Sequence, residues 1–207
     1  RNNELLAQGE LLSTGLFNLY LAEQGIDAQL ISSLDFIHLD ENGEPSLEDI
    51  SKKLNAVLEA YPEKELFITQ GFICLNGEGD IDNLKRGGSD YSDSLIGAAL
   101  DAEEVQIWTD IDGMHNNDPR VVENTRSINH LSFDEAAELA YFGAKILHPT
   151  SILPAQEREI AVRLKNTMKP EAHGTLIDNS SITKTVKAVA AKDGITAVKI
   201  KSSRMLL

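Results

Sequence analysis

Two adjacent glycines follow a cation pair in Lys85-Arg86-Gly87-Gly88, and Ser89 and Asp90 then open an apolar helical pattern. Glycine lets a backbone approach a ligand closely, because no Cβ stands in the way. The N–H groups of such a turn, and of the helix it opens, attract anions. The Arg86 guanidinium adds a planar fork matched to a carboxylate or a phosphate. Capture of a small polyanion is the chemistry this stretch offers. The same six residues serve equally as a plain loop with Ser89 as helix N-cap, so the motif alone leaves both readings open.

Two further constellations lie downstream. Thr109-Asp110 closes an apolar run, with Gly113 and then Asp118-Pro119-Arg120 beyond it. An aspartate at a strand end can orient a ribose or a base, or hold a metal through water. Asp and Gly are also ordinary turn residues, and for this pair in isolation turn chemistry is the simpler explanation. In Gly143-Ala144-Lys145-Ile146 a lysine follows a helix end, where it complements the dipole or reaches a phosphate. Taken alone, the dipole reading is the simpler one. There is no Walker A pattern, no six-residue dinucleotide fingerprint and no Cys/His cluster with zinc spacing. The five histidines are scattered and read as structural.

Alternating helices and strands must position these residues. Leu11, Leu12, Leu16, Leu19, Tyr20 and Leu21 recur at close to helical spacing over 10–24, and Gly25 stops that helix. A short strand is expected at 28–32 and a polar loop at 38–46. Ser46 is an N-cap for a helix whose face is Leu47, Ile50, Leu54, Val57 and Leu58. Leu66-Phe67-Ile68-Thr69 reads as a strand, 76–84 as a loop and 89–100 as a helix. A strand at 105–109 precedes an irregular stretch over 114–129. Ser132-Phe133-Asp134-Glu135 is a capping box that starts a helix ended by Gly143. A short helix after Pro149, a strand at 160–164 and a further strand at 174–177 complete this block. A linker over 178–183 and a half-buried strand over 196–200 follow. The alternation implies an α/β fold with a mostly parallel sheet, helices on both faces and ligands at the carboxyl ends of strands.

The composition is that of a globular chain, 42% hydrophobic and 25% charged over 207 residues. A net charge of -14 argues against a nucleic-acid partner and against anionic membrane surfaces. Cys74 is the only cysteine, which excludes an intrachain disulfide and fits a reducing cytoplasm. The chain begins at Arg1 and ends in the apolar Met205-Leu206-Leu207, so both ends look cut.

Taken together, the constellations resemble the motifs of aspartokinases. The resemblance rests on Lys85-Arg86-Gly87-Gly88-Ser89-Asp90-Tyr91, on Trp108-Thr109-Asp110-Ile111-Asp112-Gly113 with Asp118-Pro119-Arg120-Val121-Val122, and on Phe142-Gly143-Ala144-Lys145-Ile146-Leu147-His148-Pro149. It continues through Val162-Arg163-Leu164-Lys165-Asn166-Thr167 and Gly174-Thr175-Leu176-Ile177. Upstream it includes Gly9-Glu10-Leu11-Leu12-Ser13-Thr14 and Ile68-Thr69-Gln70-Gly71-Phe72. The order and spacing match from about residue 8 to residue 177.

That resemblance implies the amino-acid kinase fold, a three-layer α/β/α sandwich with a mainly parallel sheet, here incomplete at the N-terminus. It divides the chain into a kinase domain over 1–177 and, over 178–207, a linker with the start of an ACT regulatory region. It implies phosphorylation of the side-chain carboxylate of L-aspartate by ATP with Mg²⁺, the entry step to lysine, threonine and methionine, in a cytoplasmic homodimer. Arg86, Gly87, Gly88 and Ser89 match the positions that hold aspartate, and Glu10 faces its amino group. Asp90 matches the aspartate that organises the family's catalytic centre. Thr109, Asp110, His115, Arg120, Lys145 and Ile146 match the nucleotide side, and no metal-ligating side chain is assigned. His115 stands where the family has a tyrosine, and Lys85 where it has a glycine. The family's Lys-Phe-Gly-Gly-Thr-Ser motif is missing, so little or no activity is expected of residues 1–207 alone. Another amino-acid kinase, or a non-catalytic nucleotide-sensing module, is the competing reading.

Overall fold

The structure, a computed structural model, describes residues 2–85, 87–118, 121–142, 147–180, 186–191, 194 and 196. Helix α1 (Asn2–Glu23) leads to β1 (Ala28–Leu30), a 3₁₀ turn at Ser33–Asp35 and α2 (Leu47–Glu59). Then come β2 (Leu66–Ile68), β3 (Ile73–Leu75), β4 (Ile81–Asn83), α3 (Gly88–Ala99) and β5 (Glu104–Thr109). The chain continues through β6 (His130–Ser132), α4 (Phe133–Phe142) and a 3₁₀ turn at Pro149–Ile152 that runs into α5 (Leu153–Glu157), before β7 (Ala161–Asn166) and β8 (Thr175–Asp178).

Where local signals are strong, the elements follow them. Ser46 caps α2 by accepting the Asp49 N–H, Glu48 and Asp49 sit at the positive end of the helix, and Ile50 and Leu54 are buried. At α4 the capping box closes in both directions. Ser132 N–H donates to Glu135 Oε2 (2.8 Å), and Glu135 N–H donates to Ser132 Oγ (3.2 Å).

Three expectations change. The stretch 76–84 is not all loop, since β4 pairs antiparallel with β3 inside it. Asp82 and Asn83 give β4 the composition of a loop. The helix after the glycine pair is capped by Gly87 in a left-handed conformation (φ 73°), with no side-chain cap, so Ser89 is not the N-cap. Helix α1 also turns most of its apolar row outward. Leu12 and Leu16 are 63% and 67% exposed, whereas Ala7 and, at the far end of the row, Leu21 are buried. Polar bonds hold the inner face instead, Asn3 Nδ2 donating to Asp82 Oδ1 (2.9 Å) and Gln70 Nε2 to Thr14 Oγ1 (3.0 Å). The strand expected over 196–200 lies outside the described residues apart from Thr196, as does 181–183 of the linker.

Strand β1 pairs parallel with β2. The larger sheet runs β5-β7-β8-β6, with parallel β5–β7 and β8–β6 pairs and an antiparallel β7–β8 pair. Val105, Ile107, Val162, Leu164 and Ile177 point from it into one core, with Phe133 and Ala136 of α4. Phe36, Ile50, Leu54 and Cys74 belong to a second core. Helix α3 is a wall of both, giving Ala98 to the first and Leu95 and Ala99 to the second. Among the described residues, no helix is long and apolar enough to cross a membrane.

The seat of α3 fixes where the candidate residues lie. A Cβ on Gly97 would stand 2.4 Å from Val105 Cγ2, so glycine permits close contact between the C-terminal part of α3 and the start of β5. The chain reverses between them. Twelve helical residues span about 18 Å, close to the length of a six-residue strand. The N-terminus of α3 therefore lies at the same end as the carboxyl end of β5.

Candidate active site

Three segments meet at the N-terminus of α3. A Cβ on Gly87 would stand 2.9 Å from His148 Cβ, and one on Gly88 would stand 2.7 Å from Phe72 Cδ2. A Cβ on Gly71 would meet Ser89 Cα at 3.2 Å. The glycines are thus required by close approach, and at Gly87 by a positive φ as well. Phe72 is itself left-handed (φ 69°) and is held there because its N–H donates to Ser92 Oγ (2.9 Å), which in turn donates to Gly88 O (2.9 Å). With no side chain capping α3, its positive end remains available to an anion. Lys85 is exposed, with its ammonium 3.4 Å from Asp82 Oδ1. Arg86 lies outside the described residues.

Gln70 brings α1 to this end. Its buried Oε1 accepts the Ser33 N–H (2.9 Å), while its Nε2 donates to Thr14 Oγ1. Thr14 Oγ1 donates to the carbonyl of Glu10 (2.7 Å). The helical turn that carries half-buried Glu10 is thereby tied to the loop after β2.

Asp90 is half-buried, and burial raises its carboxyl above the usual range. Asp93 follows one turn later and is pushed up to about 6, by the surrounding protein first and by the Asp90 charge second. Asp93 is exposed, so water screens much of this effect.

The second group sits at the ends of β5 and β7. Thr109 pairs with Asn166 in the parallel register, its carbonyl accepts the Thr167 N–H (2.8 Å), and its hydroxyl donates to Asp110 Oδ1 (3.1 Å). Asp110 is exposed. Asp112 accepts from Asn166 Nδ2 and from Lys169 Nζ, and those bonds hold its carboxyl below the usual range. Gly113 follows with φ 94°, and a Cβ there would lie 2.4 Å from Thr175 Oγ1. The Thr175 hydroxyl accepts the Met114 N–H (2.9 Å) and donates to Ile128 O (2.6 Å). His115 is half-buried, with Nδ1 3.0 Å from Thr125 Oγ1. Arg120, Lys145 and Ile146 lie outside the described residues.

The structure therefore brings Gly87, Gly88, Ser89 and Asp90 to the same end of the sheet as Thr109 and Asp110. Sequence reasoning assigned no role to Phe72, Gln70, Asp112 or Thr175, although each lies in or beside a motif. The one local signal was Gly71-Phe72 directly after a strand. A helix terminus with no side-chain cap, a glycine wall and polar strand ends make an anion-binding end of the kind α/β sheets place at their carboxyl edge.

The amino acid kinase family model matches residues 1–166. Lysine-sensitive aspartokinase 3 of Escherichia coli (strain K12) is 38% identical over 210 residues, covering 99% of this chain and 46% of that protein. The crystal structure of E. coli aspartokinase III in complex with aspartate and ADP (R-state) is similar at a TM-score of 0.79 and 39% identity, covering 87% of this chain and 41% of that one. The aspartate kinase of Clostridium acetobutylicum is similar at a TM-score of 0.82 and 31% identity, covering 92% and 43%. The chain spans less than half the length of each of these relatives.

Proposed function

Because the chain belongs to the amino acid kinase family, we propose that the full-length protein is an aspartate kinase. It transfers the γ-phosphoryl group of ATP to the side-chain carboxylate of L-aspartate, forming 4-phospho-L-aspartate and ADP. The observation that carries this reading is the N-terminus of α3, which has no side-chain cap and is walled by Gly71, Gly87 and Gly88 at the carboxyl edge of the sheet. A relative at 39% identity was solved with aspartate and ADP, which supports both ligands.

In this reading Arg86 grips the α-carboxylate, the backbone of 87–89 lines the amino acid, and Glu10 pairs with its ammonium group. Thr109, Asp110, His115, Arg120, Lys145 and Ile146 belong to the nucleotide side. The nucleophile is a carboxylate oxygen, already ionised at neutral pH, so no general base is needed. It bonds to the γ-phosphorus as the bond to the ADP oxygen breaks. The protein's contribution is alignment and charge neutralisation.

Asp90 fits a cation-organising role. Burial alone raises its carboxyl, and a neighbouring cation would offset that cost. Among the described residues no three His, Cys, Asp or Glu side chains cluster as a metal cage. A bound Mg²⁺ would be held by phosphate oxygens of ATP and by Asp90 or Asp110, and would neutralise phosphate charge. A cytoplasmic homodimer, carried by the aspartokinase resemblance, completes the proposal.

Trapping the acyl phosphate with hydroxylamine tests it. Full-length protein with ATP and Mg²⁺ should yield hydroxamate from L-aspartate and far less from L-glutamate. A preference for glutamate, or ADP binding without any hydroxamate, would overturn it in favour of another amino-acid kinase or a nucleotide-binding module.

A further inference from the structure

We propose that Lys187 is a positioning residue for the nucleotide-side loop, holding 114–116 in place through a short strap at 187–189. This rests on the reading of that loop as part of the nucleotide site.

The strap has two fastenings. Lys187 Nζ donates to Glu135 Oε2 at 2.7 Å, with the Lys187 side chain only 15% exposed. Glu135 is a fixed anchor, because the same oxygen accepts the Ser132 N–H of the capping box. Burial pushes the Glu135 carboxyl up, but its bonds to Lys187 and Ser132 outweigh that and hold it below the usual range. Two residues on, Val189 N–H donates to Asn116 O (2.9 Å).

Asn116 is held from the other side too. Its N–H donates to Arg126 O (3.0 Å), and Arg126 N–H donates to Asn116 Oδ1 (2.8 Å). The segment beside His115 thus lies between 126–128 and the strap. Two residues of extended chain span at most about 7 Å, so the Glu135 anchor cannot shift far from Lys187 without dragging Val189 off Asn116.

The fastening is polar and therefore releasable. Val186 is 84% exposed and Val189 61%, so apolar burial does little to hold the strap. A cleft of about 190 Å³ separates Ala188 and Ala190 from Glu138 and Leu139 of α4. The ion pair, with Lys187 15% and Glu135 33% exposed, is partly screened by water and supplies the directional hold.

The test uses full-length protein with Lys187→Met, which keeps the aliphatic stem, and Lys187→Arg, which keeps the charge. In Lys187→Met, amide hydrogen exchange should quicken over 114–118 and 126–128 while β5 and β7 stay protected. ADP affinity should fall by about fivefold or more, KM for ATP should rise and KM for aspartate should hold. Lys187→Arg should restore most of each loss. Unchanged exchange over 114–118, or equal quickening across β5 and β7, would overturn the inference. A wild-type protein that binds no ADP would instead overturn the nucleotide reading, leaving the exchange result to judge the strap.

Discussion

The ring of Phe72 lies so close to the backbone of Gly88 that a β-carbon there would stand 2.7 Å from Phe72 Cδ2. Ser92 joins the same two residues again, accepting from the Phe72 N–H and donating to the Gly88 carbonyl. The loop after β2 and the first turn of α3 are one rigid unit. That unit forms the wall of the anion-binding end.

Gly88→Ala should therefore destabilise the protein and disturb the site together. Leu84 Cβ, 3.3 Å from the same point, blocks an easy retreat. Overpacking of this kind costs about 1–3 kcal/mol. Thermal unfolding should register the loss, and Phe72→Leu combined with Gly88→Ala should recover part of it. A wild-type melting temperature for Gly88→Ala alone would contradict the contact.

Thr175 holds the loop after β5 through a fully buried hydroxyl. Thr175→Val preserves the shape but leaves the Met114 N–H and the Ile128 carbonyl without their partner. The expected cost is about 2–3 kcal/mol. Thr175→Ser, which keeps both bonds, should cost less in denaturant unfolding. The reverse ranking would show that the methyl group, rather than the hydroxyl, matters.

The paired carboxylates on α3 give a pH dependence of definite sign. The folded pKa of Asp93 is raised from 3.8 to about 6, so the folded state favours its protonated form. Its favourable contribution is complete below 3.8 and is lost as pH rises through about 6. Asp93→Asn should accordingly stabilise the protein at pH 7 to 8 relative to wild type, with the difference vanishing near pH 3.5 (roughly the unfolded carboxyl range). Solvent at Asp93 keeps the gain modest. Parallel stability curves for the two proteins across this range would rule the coupling out.

Kinetics separate the two sides of the glycine motif. In the full-length protein, Asp90→Asn should lower kcat by about 100-fold, as loss of a preorganised electrostatic group does. Arg86→Ala should mainly raise KM for aspartate, by about tenfold or more for a lost charge-assisted bond. Steady-state assays with each substrate varied in turn check both. If both variants changed only KM for ATP, the role assignment would fail.

How much of this was legible follows from the range of the contacts. The sequence by itself determined α2, the Ser132–Glu135 capping box and the stop at Gly25, because their bonds join residues three to five apart. It also determined the order of the glycine motif and the Thr109-Asp110 strand end, since residue types and spacing carry the chemistry of an anion site. Strand β4 was illegible because Asp82 and Asn83, typical loop residues, make up two of its three positions, and β3, its antiparallel partner, directly follows the Gly71 turn.

Tertiary structure decided the rest. It made Gly87 rather than Ser89 the cap of α3, through a left-handed turn packed on His148. It turned Leu12, Leu16 and Leu19 of α1 outward, kept Leu21 buried and set Asn3 and Thr14 inward, because Asp82 and Gln70 offer polar partners that helical spacing does not reveal. It placed Phe72 on Gly88 and Thr175 under Gly113. Each of these contacts joins segments far apart in the chain, and their meeting depends on how the helices and strands stack. Local propensity carries no record of that stacking.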